Sequence, residues 1–188
     1  MKKLLSWAAG CCILLSCNNN KSTGTTTAEG SKDSLATTQA TGTKQAEFAD
    51  DRYVEMGKKA LEQFASGNID GWMTNYADTA MYRWSSGDSL AGKTAITNYW
   101  KERRMKVIDS LQMSNDIWIP IKVNTPQKGP DMPGVWLLSW YQVKVKYKNG
   151  KRLMFWVHTD MHYNNDDKID QVIQYIDRAP INKALGIQ

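Results

Sequence analysis

The chain has 188 residues, a formal net charge of +5, two histidines and three cysteines. That length suits one domain with appendages, and its lysines and arginines are interspersed with acids, so no polybasic patch argues for a nucleic-acid partner. Cys11, Cys12 and Cys17 all lie in the first seventeen residues, which excludes disulfides and thiol chemistry from whatever folds downstream.

Met1-Lys2-Lys3 is a basic start, and Leu4 to Leu15 is an apolar run of about twelve residues, in the order of a secretory signal. A membrane-spanning helix needs roughly twenty apolar residues, so this run is too short to be one. Its end, Leu14-Leu15-Ser16-Cys17, resembles the lipobox of bacterial lipoproteins, which implies a lipidated Cys17 as the mature N-terminus; the alternatives are Ala8-Ala9-Gly10-Cys11, which leaves an apolar run of only six residues, and an ordinary secreted protein with an incidental Cys17. Loss of Lys2 and Lys3 with the leader takes the net charge from +5 to +3. Asn18 follows the cysteine, so the expected address is the cell envelope, with the outer membrane favoured and the lipid as the only membrane contact. Residues 18–46 are rich in Thr, Ser, Asn, Lys and Gly, and such a composition cannot offset its own ordering entropy. They read as a polar tether with a reach of roughly 30 Å, leaving 47–188 as the folded domain.

Asp50 and Asp51 are positioned to cap a first helix ending at Ser66, with Gly67 as its stop. Tyr53, Val54, Met56, Ala60, Leu61 and Phe64 give that helix a broad apolar face. Asn68 caps a shorter helix with Ile69, Trp72, Met73 and Tyr76 on one side. Ala80 to Trp84 is a short strand, Ser85 to Gly92 a loop, and Lys93 to Arg104 a third helix with a basic end suited to the helix dipole.

From Val107 the period becomes strand-like, with one long strand to Val123 bent near Ser114-Asn115-Asp116. Pro126, Pro130 and Pro133 make a loop of Thr125 to Gly134. Val135 to Lys148 and Lys151 to Asn164 are strands joined by Asn149-Gly150, a strong hairpin signal, and Ile169 to Asp177 is a last strand before a tail. Helices followed by a meander give an α+β class, with helices on one face of an antiparallel sheet.

This order resembles the nuclear transport factor 2-like superfamily, which includes SnoaL-type polyketide cyclases and ketosteroid isomerases. The likeness rests on Gly67-Asn68-Ile69-Asp70 with Tyr76-Ala77-Asp78, on Gly92-Lys93-Thr94-Ala95-Ile96, and on His158-Thr159-Asp160-Met161-His162 followed by Asp167-Lys168-Ile169. It implies a cone-shaped sheet wrapped around helices, a pocket at the wide end and dimerisation through the outer sheet face.

The strand Arg152–Tyr163 carries both histidines. Alternation places Trp156, His158, Asp160 and His162 on one face. If Asn149-Gly150 is a two-residue turn, Tyr141 lies opposite His158 and Val143 opposite Trp156, and the following turn sets Gln171 beside Asp160 and Tyr175 beside Trp156. That face gathers Tyr141, Trp156, His158, Asp160, Gln171 and Tyr175. The other carries Trp136, Leu138, Trp140, Phe155, Val157 and Met161, an apolar surface suited to a second copy.

In the resembling enzymes an aspartate at the Asp160 position points into the pocket, so this face is expected inward. Asp160 and His158 are then the catalytic candidates, and Tyr141, Trp156, Gln171, Tyr175, Trp84 and His162 the ligand-binding ones. Two departures stand against catalysis: Trp84 occupies the place of the isomerases' general base, and Val172 and Ile173 that of the cyclases' histidine. Neither cofactor nor metal is expected, because alternate strand positions spread His158, Asp160 and His162 by roughly 7 Å a step. The expected partner is a small apolar or aromatic molecule, bound without turnover. The alternatives are an acid-base enzyme of the isomerase, cyclase or hydratase kind using Asp160 and His158, and a dimeric scaffold.

Overall fold

A computed structural model describes residues 44–129 and 131–187. Cys17, the leader and nearly all of the tether lie outside the described residues. The elements run β1 (Ala46–Phe48), α1 (Arg52–Ser66), α2 (Ile69–Met73), β2 (Tyr76–Trp84), β3 (Ser89–Ala91), α3 (Lys93–Lys106), β4 (Ile108–Val123), β5 (Gly134–Tyr147), β6 (Arg152–Tyr163), β7 (Ile169–Tyr175) and α4 (Ala179–Leu185). The class is α+β, with one seven-stranded curved sheet in the order β1-β4-β5-β6-β7-β2-β3.

The helices form where the sequence places them. Tyr53, Gly57, Ala60 and Phe64 are the buried face of α1, spaced as one stripe of a helix. Gly67 closes α1 at φ +85° with its N–H on the Phe64 carbonyl, a left-handed stop that glycine adopts without steric cost. The Asn68 side chain accepts from Gly71 N at 2.9 Å and starts α2. Phe64, Trp72 and Trp100 meet edge to face, with centroids 4.7 Å apart for Phe64–Trp100 and 4.8 Å for Phe64–Trp72, tying the first three helices into one aromatic core.

The sheet departs from the sequence reading in three ways. It is mixed rather than antiparallel, because β2 runs parallel to β7. Tyr76 opens β2 instead of ending α2, β1 is a short strand that straddles the boundary read between tether and domain, and β3 is one within the segment read as loop. The third difference is the register of β5 on β6. Tyr147 N–H donates to Lys151 O (2.8 Å), Gly150 N–H donates to Tyr147 O (2.9 Å), and Gly150 has φ +84° while Asn149 is not left-handed. This is a three-residue loop ending in a left-handed glycine, not the two-residue turn that needs positive φ at both positions. The pairing therefore slips by one residue, to Tyr141 with Val157 and Trp140 with His158.

A one-residue slip reverses every side chain of a strand. The face of β5 that carries Leu137, Ser139 and Tyr141 continues into Val157, Thr159 and Met161, and this is the face the helices cover. Asp160, His158, Trp156 and His162 continue the opposite face, with Trp136, Leu138 and Trp140. Between β6 and β7 the register differs from expectation by two residues, giving Asp160 with Ile173 and His158 with Tyr175. An even slip leaves the faces unchanged. Gln171, Ile173 and Tyr175 thus stay on the Asp160 side, which is the outer one. The bend in β4 falls where expected, with Asn115 at φ 56° and a register shift between Ser114 and Ile117.

Candidate binding cavity

A cavity of about 390 Å³ lies between the helices and the inner sheet face. Its walls come from every layer: Phe64 of α1, Trp84 of β2, Tyr99 and Trp100 of α3, Trp118 of β4, Tyr141 and Val143 of β5, Phe155 and Met161 of β6, and Ile181 and Leu185 of α4. This size and a mainly apolar, aromatic lining suit a small-molecule site.

A short polar chain crosses this apolar surface. Trp84 Nε1–H donates to Gln174 Oε1 at 3.0 Å, and Gln174 lies beside Thr159 across β6 and β7. Tyr141 Oη lies 3.0 Å from Thr159 Oγ1. Ser139 Oγ–H donates to Thr159 O at 2.9 Å. Burial pushes the Tyr141 phenol above its ordinary pKa, against the opposing hydrogen bonds from Thr159 and Gln174. It is therefore a neutral hydroxyl at physiological pH. Tyr76 and Tyr82 are likewise raised well above the phenol value by burial.

Three charged residues line the cavity: Asp88, Arg103 and Arg178. Arg178 donates from Nη1 to Asp88 Oδ2 and, at 3.2 Å, to Ser86 Oγ. Its guanidinium lies over the Trp84 ring at 5.7 Å, and that of Arg103 over Tyr99 at 5.6 Å. Trp84 and Tyr99 touch, with centroids 5.3 Å apart, so two arginines bracket two aromatic rings along one wall.

Of the residues proposed from sequence, Tyr141 and Trp84 line the cavity, whereas Asp160, His158, Trp156, Gln171, Tyr175 and His162 do not. The register slip put those six on the outer face. There His158 Nε2 lies 2.8 Å from Asp160 Oδ1, and His158 Nδ1 is 3.0 Å from Ser139 O. The imidazole stacks on Trp140 at 4.3 Å and on Tyr175 at 5.2 Å. Burial raises the Asp160 pKa, and His158 opposes the rise. His162 pairs instead with Asp170, Nδ1 to Oδ1 at 2.5 Å, and with Pro133 O at 3.1 Å. The two histidines thus have different carboxylate partners and form no common cluster.

The residues that sequence reasoning missed are Ser139, Thr159, Gln174, Arg103 and Arg178. A three-residue reading of Lys148-Asn149-Gly150 would have turned Thr159 towards Tyr141. Nothing in the local sequence distinguishes Gln174 from Gln171.

Neither a protein-family model nor a curated protein matches the sequence. Solved structures do resemble the fold. An NTF2-like protein of unknown function from Burkholderia pseudomallei shares 12% identity at a TM-score of 0.56, covering 70% of this chain and 95% of that one. The fold is that of the nuclear transport factor 2-like proteins. A structure described as an isomerase, from Bacillus subtilis, aligns at 14% identity and TM-score 0.54, covering 72% and 96% of the two chains. One described as a polyketide cyclase, from Xanthomonas campestris, aligns at 11% and 0.54, covering 72% and 97%. The nuclear transport factor 2-like cone accounts for the curved sheet and for the cavity between it and the helices.

Proposed function

We propose that this domain binds a small, largely apolar molecule in the 390 Å³ cavity without transforming it. The observation that carries this reading is the composition of the lining. Apart from Asp88, Arg103 and Arg178, its polar side chains are neutral, with Trp84 bonded to Gln174 and Tyr141 to Thr159, which suits orientation of a ligand rather than proton transfer. A general acid or base must reach the reacting atom, and Asp160 and His158 face away from this space. The test is titration of the protein with an apolar fluorophore, followed by tryptophan energy transfer. Val143→Trp, which fills the cavity, should abolish uptake; equal uptake by this variant would sink the reading.

Four of the large apolar side chains left exposed, Ile117, Met154, Trp156 and Tyr175, belong to the outer sheet face by their register. We propose that a second copy of the chain covers them, a two-fold contact that matches one patch to itself. Light scattering should give a dimer for the wild type and a monomer for Trp156→Glu. A monomeric wild type at micromolar concentration removes this proposal.

Among the described residues no helix is long and apolar enough to cross a membrane. Attachment to the cell envelope, with the outer membrane favoured, is proposed from Leu14-Leu15-Ser16-Cys17 alone. Metabolic labelling with a radioactive fatty acid should mark the wild type and not Cys17→Ala. An unlabelled wild type excludes the anchor, and label retained by that variant moves it off Cys17.

A further inference from the structure

The charges around the cavity do not balance. Asp88 is the one acid among its lining residues and is engaged by Arg178. Arg103 has no carboxylate within ion-pair distance among the described residues; its contact there is the face of Tyr99. It is half-buried, and a cation drawn out of water towards an apolar wall is unfavourable until an anion meets it. Its charge is felt inside the site, because it opposes the burial-driven rise of the pKa of Tyr147, another lining residue.

Trp100 stands on the same helix face. It lines the cavity, and its Nε1–H is buried with no hydrogen-bond partner among the described residues. Trp100 and Arg103 are three positions apart on α3 and therefore neighbours on its surface. The planar cation of Arg103 matches a carboxylate, which accepts charge-assisted hydrogen bonds from its N–H groups. The remaining walls offer aliphatic and aromatic carbon and the neutral Tyr141–Thr159–Gln174 chain.

We propose that the cavity is built for an apolar molecule bearing one negative charge, a monocarboxylate of the fatty-acid kind, with Arg103 meeting its carboxylate. This rests on the binding reading above and narrows it to a ligand class. The charge is held at the α3 wall, and the apolar body extends over Val143, Phe155 and Met161.

The experiment uses the full chain and three probes below their micellar concentrations: dodecanoate, dodecanol and dodecyltrimethylammonium, titrated by tryptophan fluorescence at neutral pH. Dodecanoate should bind at least about tenfold more tightly than dodecanol, the scale of one hydrogen bond to a charged group, and the ammonium probe most weakly. Arg103→Gln should bring dodecanoate down to the affinity of dodecanol while dodecanol binding persists, which also reports that the variant is folded. Arg103→Lys should keep most of the preference. Equal wild-type affinity for dodecanoate and dodecanol, or a preference untouched in Arg103→Gln, overturns the ligand class and leaves the apolar site standing. Binding of none of the three overturns both.

Discussion

Asp160 carries a pKa raised by burial on the outer sheet face, with His158 pulling it back down. A carboxyl group raised in the folded state holds its proton more tightly there than in the unfolded chain. The stability linked to it is therefore greatest in acid and is lost as the pH rises from the unfolded carboxylate value, about 3.9, through the folded one. Asp160→Asn removes the buried charge and keeps the shape. Paired thermal melts should show the variant more stable than the wild type at pH 7, with the gap narrowing towards pH 4. A gap that stays constant across this range would mean that burial does not act on this group. The residue resembles a catalytic acid by its place in the sequence, yet its surroundings are those of a surface dyad stacked between Trp140 and Tyr175.

At the scale of elements, α1 packs against the sheet at Gly57. A Cβ there would lie 2.4 Å from Leu137 Cδ2 and 2.8 Å from Trp118 Cζ3, and both neighbours are packed side chains. Gly57→Ala should cost about 1–3 kcal/mol, as overpacking does, although alanine is the better helix former. Urea unfolding measures it; a gain in stability would show that β4 and β5 yield to the helix. Such elements were legible in the sequence because each has a local cause: the stripe of Tyr53, Ala60 and Phe64, the stop at Gly67, the cap at Asn68, the bend at Asn115. The face of β6 was not. It depends on whether Asn149-Gly150 closes two residues or three, a difference that leaves the hairpin intact and moves Asp160 from one side of the sheet to the other. The parallel β2–β7 pair was equally hidden, since it joins strands far apart in the chain.

At the scale of the whole molecule, the sheet has the two surfaces that the sequence reading distinguished, but the slipped register redistributes the residues between them. The inner one is an apolar chamber with one neutral polar chain and an unmatched arginine; the outer one is an aromatic plate carrying both histidines. The proposed ligand class and the proposed assembly thus belong to opposite sides of a single sheet. The fold was legible because the order of helices and strands constrains the architecture. The cavity's own polar residues were not, since Ser139, Thr159 and Gln174 acquire meaning only once three strands are in register.

No residue of α4 is fully buried, although Ile181 and Leu185 form part of the cavity wall. Polar ties hold this helix near its two ends. Arg178 reaches Ser86 and Asp88 from the start, and Asn149 Nδ2 donates to Ala184 O at 2.8 Å at the far end. A segment fastened by exposed polar links opens at a lower free energy than the core it covers. The amides of this seven-residue helix should therefore exchange with solvent before those of the sheet beneath it, and faster at high salt.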